Sequence, residues 1–257
     1  MTPFRRTLLH GALGGGLIVL ARPARAATAL DRVKAEGVLR IATTGANKPY
    51  TFAGDGTDLQ GYDIDWGQAI AAGLGVRAEF IRLDWKGILP GLIAHQFDCA
   101  LSAVRVTPER AAAFDFSAPY GTDDVTVAVR ANNTAVNGID DLQGLRVAVA
   151  AGSIQDLFAR ENARAGTLMR LPGLPEVLLA VQAGQADAAV VGRGGAAAFL
   201  RETQAPLRLA GSYAGGDLAA VFPKNSPDLV AAVNAVIAAR RADGFSDTVS
   251  RRWFGTT

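Results

Sequence analysis

The sequence has one cysteine, Cys99, and two histidines, His10 and His95, among its 257 residues. A single cysteine excludes an internal disulfide framework and a cysteine-based zinc or iron–sulfur site, and two histidines exclude a histidine-rich metal centre. Charged residues are also few and nearly balanced, 26 basic against 24 acidic, while 49% of the chain is hydrophobic. This composition excludes an intrinsically disordered chain and suffices for one large or two medium cores. We therefore expect a globular protein that uses no cofactor and no metal.

The first 26 residues differ from the rest of the chain in charge and hydropathy. They contain four arginines and no acidic residue, with an apolar, glycine-rich stretch at 8–20 followed by Ala24-Arg25-Ala26. This order predicts an export signal peptide cleaved after Ala26, because the 13-residue stretch is shorter than the ~20 residues of a membrane-spanning helix. The pair Arg5-Arg6 favours the twin-arginine route. Phe4 stands where that motif usually has serine or threonine, so the general secretory route is the alternative.

The basic character of the sequence comes from this segment. Without its four arginines the formal net charge changes from +2 to −2, so the charge gives no reason to expect a nucleic-acid partner. We expect the mature protein to be a soluble, near-neutral monomer of the periplasm.

Short β-rich runs alternate with helical runs along the mature chain. Strands are predicted at 38–43, 77–83, 99–103, 125–130, 146–150 and 187–191, and helices at 63–74, 85–95, 153–164 and from 227 onward. This βαβ order predicts largely parallel sheets covered on both faces. The length favours two α/β lobes over one sheet, with the loops after the strands meeting at a cleft.

Nine short motifs occur in the order and spacing of one known family. In one-letter code they are GYDID at 61–65, DWKGILP at 84–90, FD at 97–98, TPER at 107–110, FDFSAPY at 114–120, GS at 152–153, GQADA at 184–188, ADG at 242–244 and WFG at 253–255. Over nearly the whole mature chain, the sequence resembles the periplasmic solute-binding proteins of polar amino-acid ABC importers.

The resemblance implies a type II periplasmic-binding-protein fold, with two mostly parallel sheets and a ligand cleft between two lobes. One lobe would hold residues 27–123 and 217–257, and the other residues 124–216. It also implies hinge closure around a small-molecule ligand, and recognition of the closed form by an ABC permease at the inner membrane.

Arg110 is the strongest candidate for a ligand contact. A guanidinium presents donors that match a carboxylate in a bidentate manner, and the resemblance implies that Arg110 anchors the ligand carboxylate. The residues alone also allow a surface ion pair with Glu109 or Asp115.

The resemblance assigns further contacts to three groups of residues. A hydroxyl and backbone groups would come from Ser102, Ala103 and Val104; amides at a helix start, where an anion is favoured, from Gly152, Ser153 and Ile154; and cleft walls from Trp85, Tyr50 and Asn47. Ile154 has no hydroxyl where relatives usually have one.

Two departures from the family pattern concern charge. Gly192 stands where relatives have an aspartate that pairs with the ligand ammonium; it is followed by Arg193, and Arg105 replaces a frequent serine or threonine. Burial of an ammonium without a carboxylate is costly. Either another acceptor holds an amine while the two arginines point outward or pair with acids, or the ligand is an anion without a free α-ammonium.

The alternative function is catalysis, because some exported relatives of this family are cyclohexadienyl dehydratases. Dehydration needs a general acid at the leaving hydroxyl. In the loop after Gly152, where those relatives are expected to have a carboxylic acid, this chain has Gln155, which cannot act as an acid. We therefore expect a binding protein and not an enzyme.

Overall fold

The computed structural model describes residues 27–54 and 58–254. The predicted signal peptide, residues 1–26, therefore lies outside the described residues. The α-helices are Ala29–Glu36 (α1), Tyr62–Leu74 (α2), Trp85–Ile93 (α3), Pro108–Ala113 (α4), Ile154–Asn162 (α5), Leu174–Gln182 (α6), Arg193–Thr203 (α7), Pro227–Ala242 (α8) and Phe245–Phe254 (α9).

The strands are short, and several of them follow one another without a helix between. They are Val38–Thr43 (β1), Ala46–Asn47 (β2), Thr51–Ala53 (β3), Leu59–Gln60 (β4), Arg77–Arg82 (β5), Cys99–Ala100 (β6), Phe114–Phe116 (β7), Gly121–Thr122 (β8), Val125–Arg130 (β9), Arg146–Ala150 (β10), Thr167–Leu171 (β11), Ala188–Gly192 (β12), Leu207–Tyr213 (β13), Asp217–Leu218 (β14) and Val221–Pro223 (β15). A short 3-10 helix covers Asp140–Leu142.

Two five-stranded sheets form the framework, in the orders β5-β1-β6-β15-β7 and β11-β10-β12-β9-β13. In each sheet four strands run in one direction, and the fifth, β15 or β9, runs against its neighbours. This confirms the expected pair of mostly parallel sheets in an α/β fold. We call the part built on the first sheet lobe 1 and the part built on the second sheet lobe 2.

Two chain segments cross between the lobes. They pair with each other as the antiparallel strands β8 and β14, with Leu218 opposite Gly121. The lobe boundaries predicted at 123–124 and 216–217 stay a prediction; they fall beside this pair.

Hydrophobic patterning explains the central elements of lobe 1. Strand β1 contacts neighbours on both sides, and its Leu39 and Ile41 are fully buried, as is typical of a strand covered on both faces. Helix α2 buries Trp66 and Ile70 against this core. It ends at Gly75, whose φ of +75° allows its amide to satisfy the last turn of the helix.

The structure differs from the predicted elements at several places. The strand predicted at 99–103 ends at Ala100, because Ala103 takes a left-handed φ of +49°. Ser226 directly precedes the helix predicted from 227 onward, and serine is a typical N-cap residue, but its hydroxyl donates to the Pro223 carbonyl (2.8 Å) and does not cap α8. Among the segments for which no element was predicted are 167–182 and 193–213, where the structure has β11, α6, α7 and β13.

The lobes have separate apolar cores, and Cys99 is buried in lobe 1 as a free thiol. No helix between residues 27 and 54 or between 58 and 254 is long and apolar enough to cross a bilayer.

Candidate functional site: a charged cleft between the lobes

A cleft with a cavity of about 180 Å³ separates the two lobes. Its walls come from residues at or just after the carboxyl ends of strands, as expected for facing α/β sheets. Strands β1, β5 and β6 of lobe 1 are followed by Thr44, Leu83 and Ser102, and strands β10, β11 and β12 of lobe 2 lead to Ala150, Pro172 and Gly192. A cavity of this size accommodates a small metabolite.

Eleven of the fourteen predicted site residues line the cleft. They are Asn47, Tyr50, Trp85, Ser102, Ala103, Arg105, Arg110, Ser153, Ile154, Gln155 and Gly192.

Three predicted site residues do not line it. Val104 is fully buried in the core of lobe 1, because burial of its apolar side chain is favourable. Its carbonyl accepts from the Ala219 amide (3.1 Å). Gly152 faces the site only through its carbonyl, which accepts from Arg110 (3.2 Å). Arg193 is exposed, because it begins α7 with its charged side chain in solvent. For Arg193 the position in solvent matches the first of the two alternatives, in which the arginine points outward.

Arg110 is a nearly buried cation without an acidic partner. The preceding helix start positions it, because Thr107 Oγ1 accepts from the Arg110 amide (3.2 Å). The guanidinium donates to the carbonyls of Arg105 (3.0 Å) and Gly152 (3.2 Å), and its Cζ lies 5.5 Å from the centroid of the Trp85 ring. No described carboxylate lies within 4.0 Å of it, so the surface ion pair considered for this residue does not form.

Burial, with a smaller contribution from the charge of Arg105, lowers the pKa of Arg110 to about 10. The guanidinium remains charged at neutral pH, with two carbonyls as its acceptors. A partly dehydrated cation in this state favours an anion in the adjoining cavity.

Arg105, in contrast, is already neutralised. Its Nη2 lies 2.7 Å from Asp123 Oδ2, and both side chains are almost fully buried. The same guanidinium donates to the Asp123 carbonyl from Nε (3.3 Å) and Nη2 (3.1 Å). Burial raises the pKa of Asp123, and the charge of Arg105 acts in the opposite direction. The pair matches the first of the two alternatives for Arg105, pairing with a nearby acid.

Asp123 also accounts for the glycine at 192. A Cβ added to Gly192 would lie only 2.6 Å from Asp123 Oδ2 and 3.3 Å from the side-chain amide of Gln155. The Asp123 carboxylate therefore fills the space where a side chain at 192 would begin. The resemblance implied that this place had lost its carboxylate, whereas the structure supplies one from a different position of the chain.

Gln155 connects the Arg105–Asp123 pair to lobe 2. In the amide orientation that satisfies its neighbours, its oxygen accepts from Arg105 Nη1 (2.7 Å) and from the Gly192 amide (3.3 Å), and its nitrogen donates to Ser153 Oγ (3.1 Å). The Asp123 carboxylate accepts a hydrogen bond from the Gly194 amide at the start of α7 (2.9 Å). Both lobes therefore contact the same buried charge pair.

The remaining walls are hydroxyl and aromatic groups. The Ser102 hydroxyl donates to Thr44 Oγ1 (3.2 Å) and accepts from the Thr44 amide (3.2 Å). Tyr50 is buried and packs against Phe254 with a centroid distance of 5.3 Å. Burial, reinforced by the charge of Asp123, raises the pKa of the Tyr50 hydroxyl, so it stays neutral. Tyr50 is thus mainly a core residue whose edge reaches the cleft.

Several wall residues were missed by the sequence analysis. They are Thr44, Ala46, Leu83, Asp84, Asp123, Ala150, Pro172, Gly173, Leu174, Glu176, Val177, Val190, Val191 and Gly195. Most of them lie at or just after the ends of strands, and this position could have identified them from the sequence. For the residues that follow β11 in lobe 2, it could do so only if β11 itself had been predicted. Asp123 carried a weaker signal, since it stands next to Asp124 at the predicted lobe boundary. In the described ranges, no group of three or more His, Cys, Asp and Glu side chains is arranged to hold a metal ion.

Comparison with known proteins agrees with this architecture. Residues 39–256 match the family model of bacterial extracellular solute-binding proteins, family 3. The chain is 29% identical over 228 residues to the L-cystine-binding protein TcyJ of Escherichia coli (strain K12), covering 88% of this chain and 86% of TcyJ. It is 26% identical over 255 residues to a probable amino-acid ABC transporter-binding protein of Haemophilus influenzae (strain ATCC 51907 / DSM 11121 / KW20 / Rd), covering 98% of each.

A solved structure gives the same result. An ancestral arginine-binding protein bound to arginine superposes with a TM-score of 0.82 at 28% identity, covering 85% of this chain and 99% of that one. An enzyme is also among the relatives: the cyclohexadienyl dehydratase of Pseudomonas aeruginosa (strain PAO1) is 29% identical over 162 residues, covering 62% of this chain and 60% of the enzyme. The family match over almost the whole described chain, together with the two-lobed fold and its cleft, establishes that this protein belongs to the bacterial extracellular solute-binding proteins, family 3.

Proposed function

We propose that this protein captures an α-amino acid in the periplasm and delivers it to the permease of an ABC importer. The observation that supports this most directly is the presence of two buried groups of opposite charge on one cleft: the guanidinium of Arg110, which lacks an acidic partner among the described residues, and the carboxylate of Asp123. A zwitterion presents a carboxylate and an ammonium to such a site and leaves neither charge without a partner.

Arg110 is the anchor of the ligand carboxylate in this proposal. The guanidinium keeps donors beyond the two that its carbonyl partners use, and the Ser102 hydroxyl and the start of α5 at Ser153 line the same cavity. A carboxylate bound there would receive donors from both lobes, which favours closure around the ligand.

Asp123 is the acceptor for the ligand ammonium. Its Oδ2 stands where a side chain of lobe 2 would otherwise begin, at Gly192, and Arg105 and the Gly194 amide fix its orientation. A carboxylate has about four acceptor positions, so the contacts from Arg105, the Gly194 amide and the Tyr50 hydroxyl still leave room for an ammonium. This arrangement favours an amino acid over a ligand that lacks the ammonium.

The rest of the cavity suits a neutral or basic ligand side chain. Apolar surface comes from Leu83, Trp85, Leu174 and Val177. Three carboxylates line the cleft against two guanidinium groups, because the exposed Asp84 and Glu176 add to Asp123. An acidic side chain would meet like charge from both lobes, so we expect glutamate and aspartate to bind more weakly than neutral or basic amino acids.

Binding and not catalysis is the favoured activity. The amide of Gln155 is engaged with Arg105 and Ser153 and has no acidic proton, and the buried acid of the cleft, Asp123, is held by Arg105. A dehydratase needs an acid free to protonate a leaving hydroxyl.

The test is a thermal-shift and calorimetric screen of the common L-amino acids and L-cystine beside the matched acids without an amino group. Stabilisation by one or more amino acids, with weaker or no stabilisation by the matched acids, is the expected result. A shift only with the deaminated acids would overturn the assignment of Asp123. Turnover of prephenate would replace the binding function by the dehydratase function.

A further inference from the structure

Two buried side chains behind the cleft, Asp63 and Tyr120, lie outside the site described above. Asp63 is the second residue of α2 and has no solvent exposure, and Tyr120 is 1% exposed. The Tyr120 hydroxyl donates to Asp63 Oδ1 (2.8 Å), and the Ala103 amide donates to Asp63 Oδ2 (2.7 Å). Two of the sequence motifs therefore meet at one carboxylate, and that carboxylate binds the backbone of a cleft residue.

The Asp63 carboxylate has no cationic partner within the described part of the chain. Removal of a carboxylate from water without a counter-charge is costly, and a hydrophobic residue would usually fill such a position at lower cost. An acceptor placed there must therefore serve the groups that it binds.

Of the groups that Asp63 binds, Ala103 has an unusual backbone conformation. Its φ of +49° lies in the left-handed region, which is disfavoured for alanine because the Cβ approaches the backbone. Such a conformation persists when neighbouring contacts fix it, and it is found most often at binding sites. At Ala103 the conformation turns the chain away from β6, so that Ser102 and Ala103 both face the cavity.

The residues around Ala103 are fixed in the same way. Ser102 is tied to Thr44, and the Val104 carbonyl accepts from the Ala219 amide. The Arg105 carbonyl, two residues further on, is an acceptor for the Arg110 guanidinium (3.0 Å). A shift at Ala103 would therefore displace the Ser102 hydroxyl and an acceptor of Arg110 together.

From this geometry we propose that Asp63 is a positioning residue for the ligand site, holding Ala103 in the conformation that presents the 102–105 loop to the cleft. The role rests on the proposed function, since it concerns the affinity of the same site. Asp63 contacts no ligand and acts through the backbone.

The test uses Asp63→Ala, Asp63→Asn and the double variant Asp63→Ala with Ala103→Gly, with Ala103→Gly alone as the reference for the double variant. We expect Asp63→Ala to weaken binding of the best amino acid from the screen by at least about tenfold, because small displacements of contact groups are costly. Asp63→Asn keeps an oxygen that can accept from the Ala103 amide, so it should retain most of the affinity.

The double variant separates positioning from general stability. Glycine adopts positive φ without strain, so Ala103→Gly should recover part of the affinity lost in Asp63→Ala. Equal loss of affinity in the single and double variants, or a loss of unfolding free energy with unchanged affinity, would overturn the proposal. If Asp63→Ala does not fold, recovery of folded, ligand-binding protein in the double variant supports the proposal, and its failure to fold overturns it.

Hydrogen exchange gives a readout that does not depend on the ligand. In Asp63→Ala, faster exchange confined to the segment around 101–106 supports the positioning role, whereas uniform or unchanged exchange contradicts it. Should no amino acid bind the unaltered protein, the proposed function fails while this measurement still decides whether Asp63 holds the loop.

Discussion

The two sides of the cleft differ in what they offer a ligand. The buried charged groups, Arg105, Arg110 and Asp123, come from lobe 1 and from the crossing segment that leaves it. Lobe 2 contributes mainly apolar side chains and backbone, and it reaches the charge pair through the Gln155 amide and the Gly194 N–H. Recognition is thus concentrated on one lobe, and the other completes the enclosure.

Two buried acids, one in each lobe, differ in their partners, although lobe 1 also has a paired buried acid, Asp98, at 3.3 Å from Arg32. Asp156 in lobe 2 lies within 3.3 Å of Arg160 Nε and 3.0 Å of Arg170 Nε. Among the residues that the structure describes, Asp63 in lobe 1 accepts only from the Ala103 amide and the Tyr120 hydroxyl. The paired acid ties surface elements of lobe 2 together, whereas the unpaired acid supports the ligand loop of lobe 1 at a cost in stability.

The largest expected effect comes from removing the carboxylate anchor. Arg110→Ala should weaken ligand binding by about 4–5 kcal/mol, on the order of a thousandfold in Kd, because it leaves a ligand carboxylate buried without its partner. Isothermal calorimetry measures the loss, and Arg193→Ala, which removes an exposed arginine outside the cleft, is the matched control. Equal effects of the two substitutions would refute the anchor.

A second prediction concerns the pH dependence of stability. Burial raises the pKa of the Asp63 carboxyl from the ordinary range of an aspartate to about 7. Between about pH 4 and pH 7 the native carboxyl keeps a proton that the unfolded chain has released, so raising the pH favours unfolding; above pH 7 the loss is complete.

Denaturant unfolding of the unaltered protein and Asp63→Asn at several pH values measures this contribution. The free energy of unfolding of the unaltered protein should fall relative to the variant by up to about 4 kcal/mol across this range. Asp123, whose pKa is also raised, is present in both proteins and does not contribute to the difference. Parallel pH profiles would contradict the prediction.

A third prediction concerns the transfer of the ammonium acceptor from Asp123 to position 192 of lobe 2. Asp123→Ala should weaken amino-acid binding by about 2–3 kcal/mol, because it removes the ammonium acceptor and unpairs Arg105. A Cβ at 192 would lie 3.6 Å from Arg105 Nη2, so Gly192→Asp in the Asp123→Ala background restores a carboxylate at the same place.

Partial recovery of affinity in that double variant is the expected outcome, measured by calorimetry with the best amino acid and its deaminated counterpart. Gly192→Asp alone should be destabilising, because the two carboxylates would collide. No recovery in the double variant would contradict the prediction. It would show that a carboxylate at this place in the cleft is not sufficient and that it must be supplied by residue 123.

The smallest effect is expected for the lobe 2 amide. Gln155→Ala removes a neutral group that accepts from Arg105 and the Gly192 amide, so we expect a loss of about 1 kcal/mol, a few-fold in Kd. A loss as large as that of Arg110→Ala would contradict the view that recognition is concentrated on lobe 1.

Patterns local in the sequence predicted much of the fold. Strands Val38–Thr43, Val125–Arg130 and Arg146–Ala150 agree with the structure at both ends, because side-chain burial repeats over a few residues. The motif containing Arg110 likewise placed a cationic group at the cleft. The end of the strand at Ala100 was missed, because the φ of Ala103 is fixed by Asp63, 40 residues earlier.

By itself, the sequence determined the alternation of helices and strands, which follows from neighbouring residues. Its motifs, through the family that they resemble, gave the two-lobed architecture and pointed to the guanidinium at 110. Only the tertiary structure decided the charge of the cleft. Asp123 neutralises Arg105 and fills the space beside Gly192, 69 positions away along the chain. Such a pairing depends on how the lobes and their crossing segments pack, and the periodicity of the sequence carries no information about it.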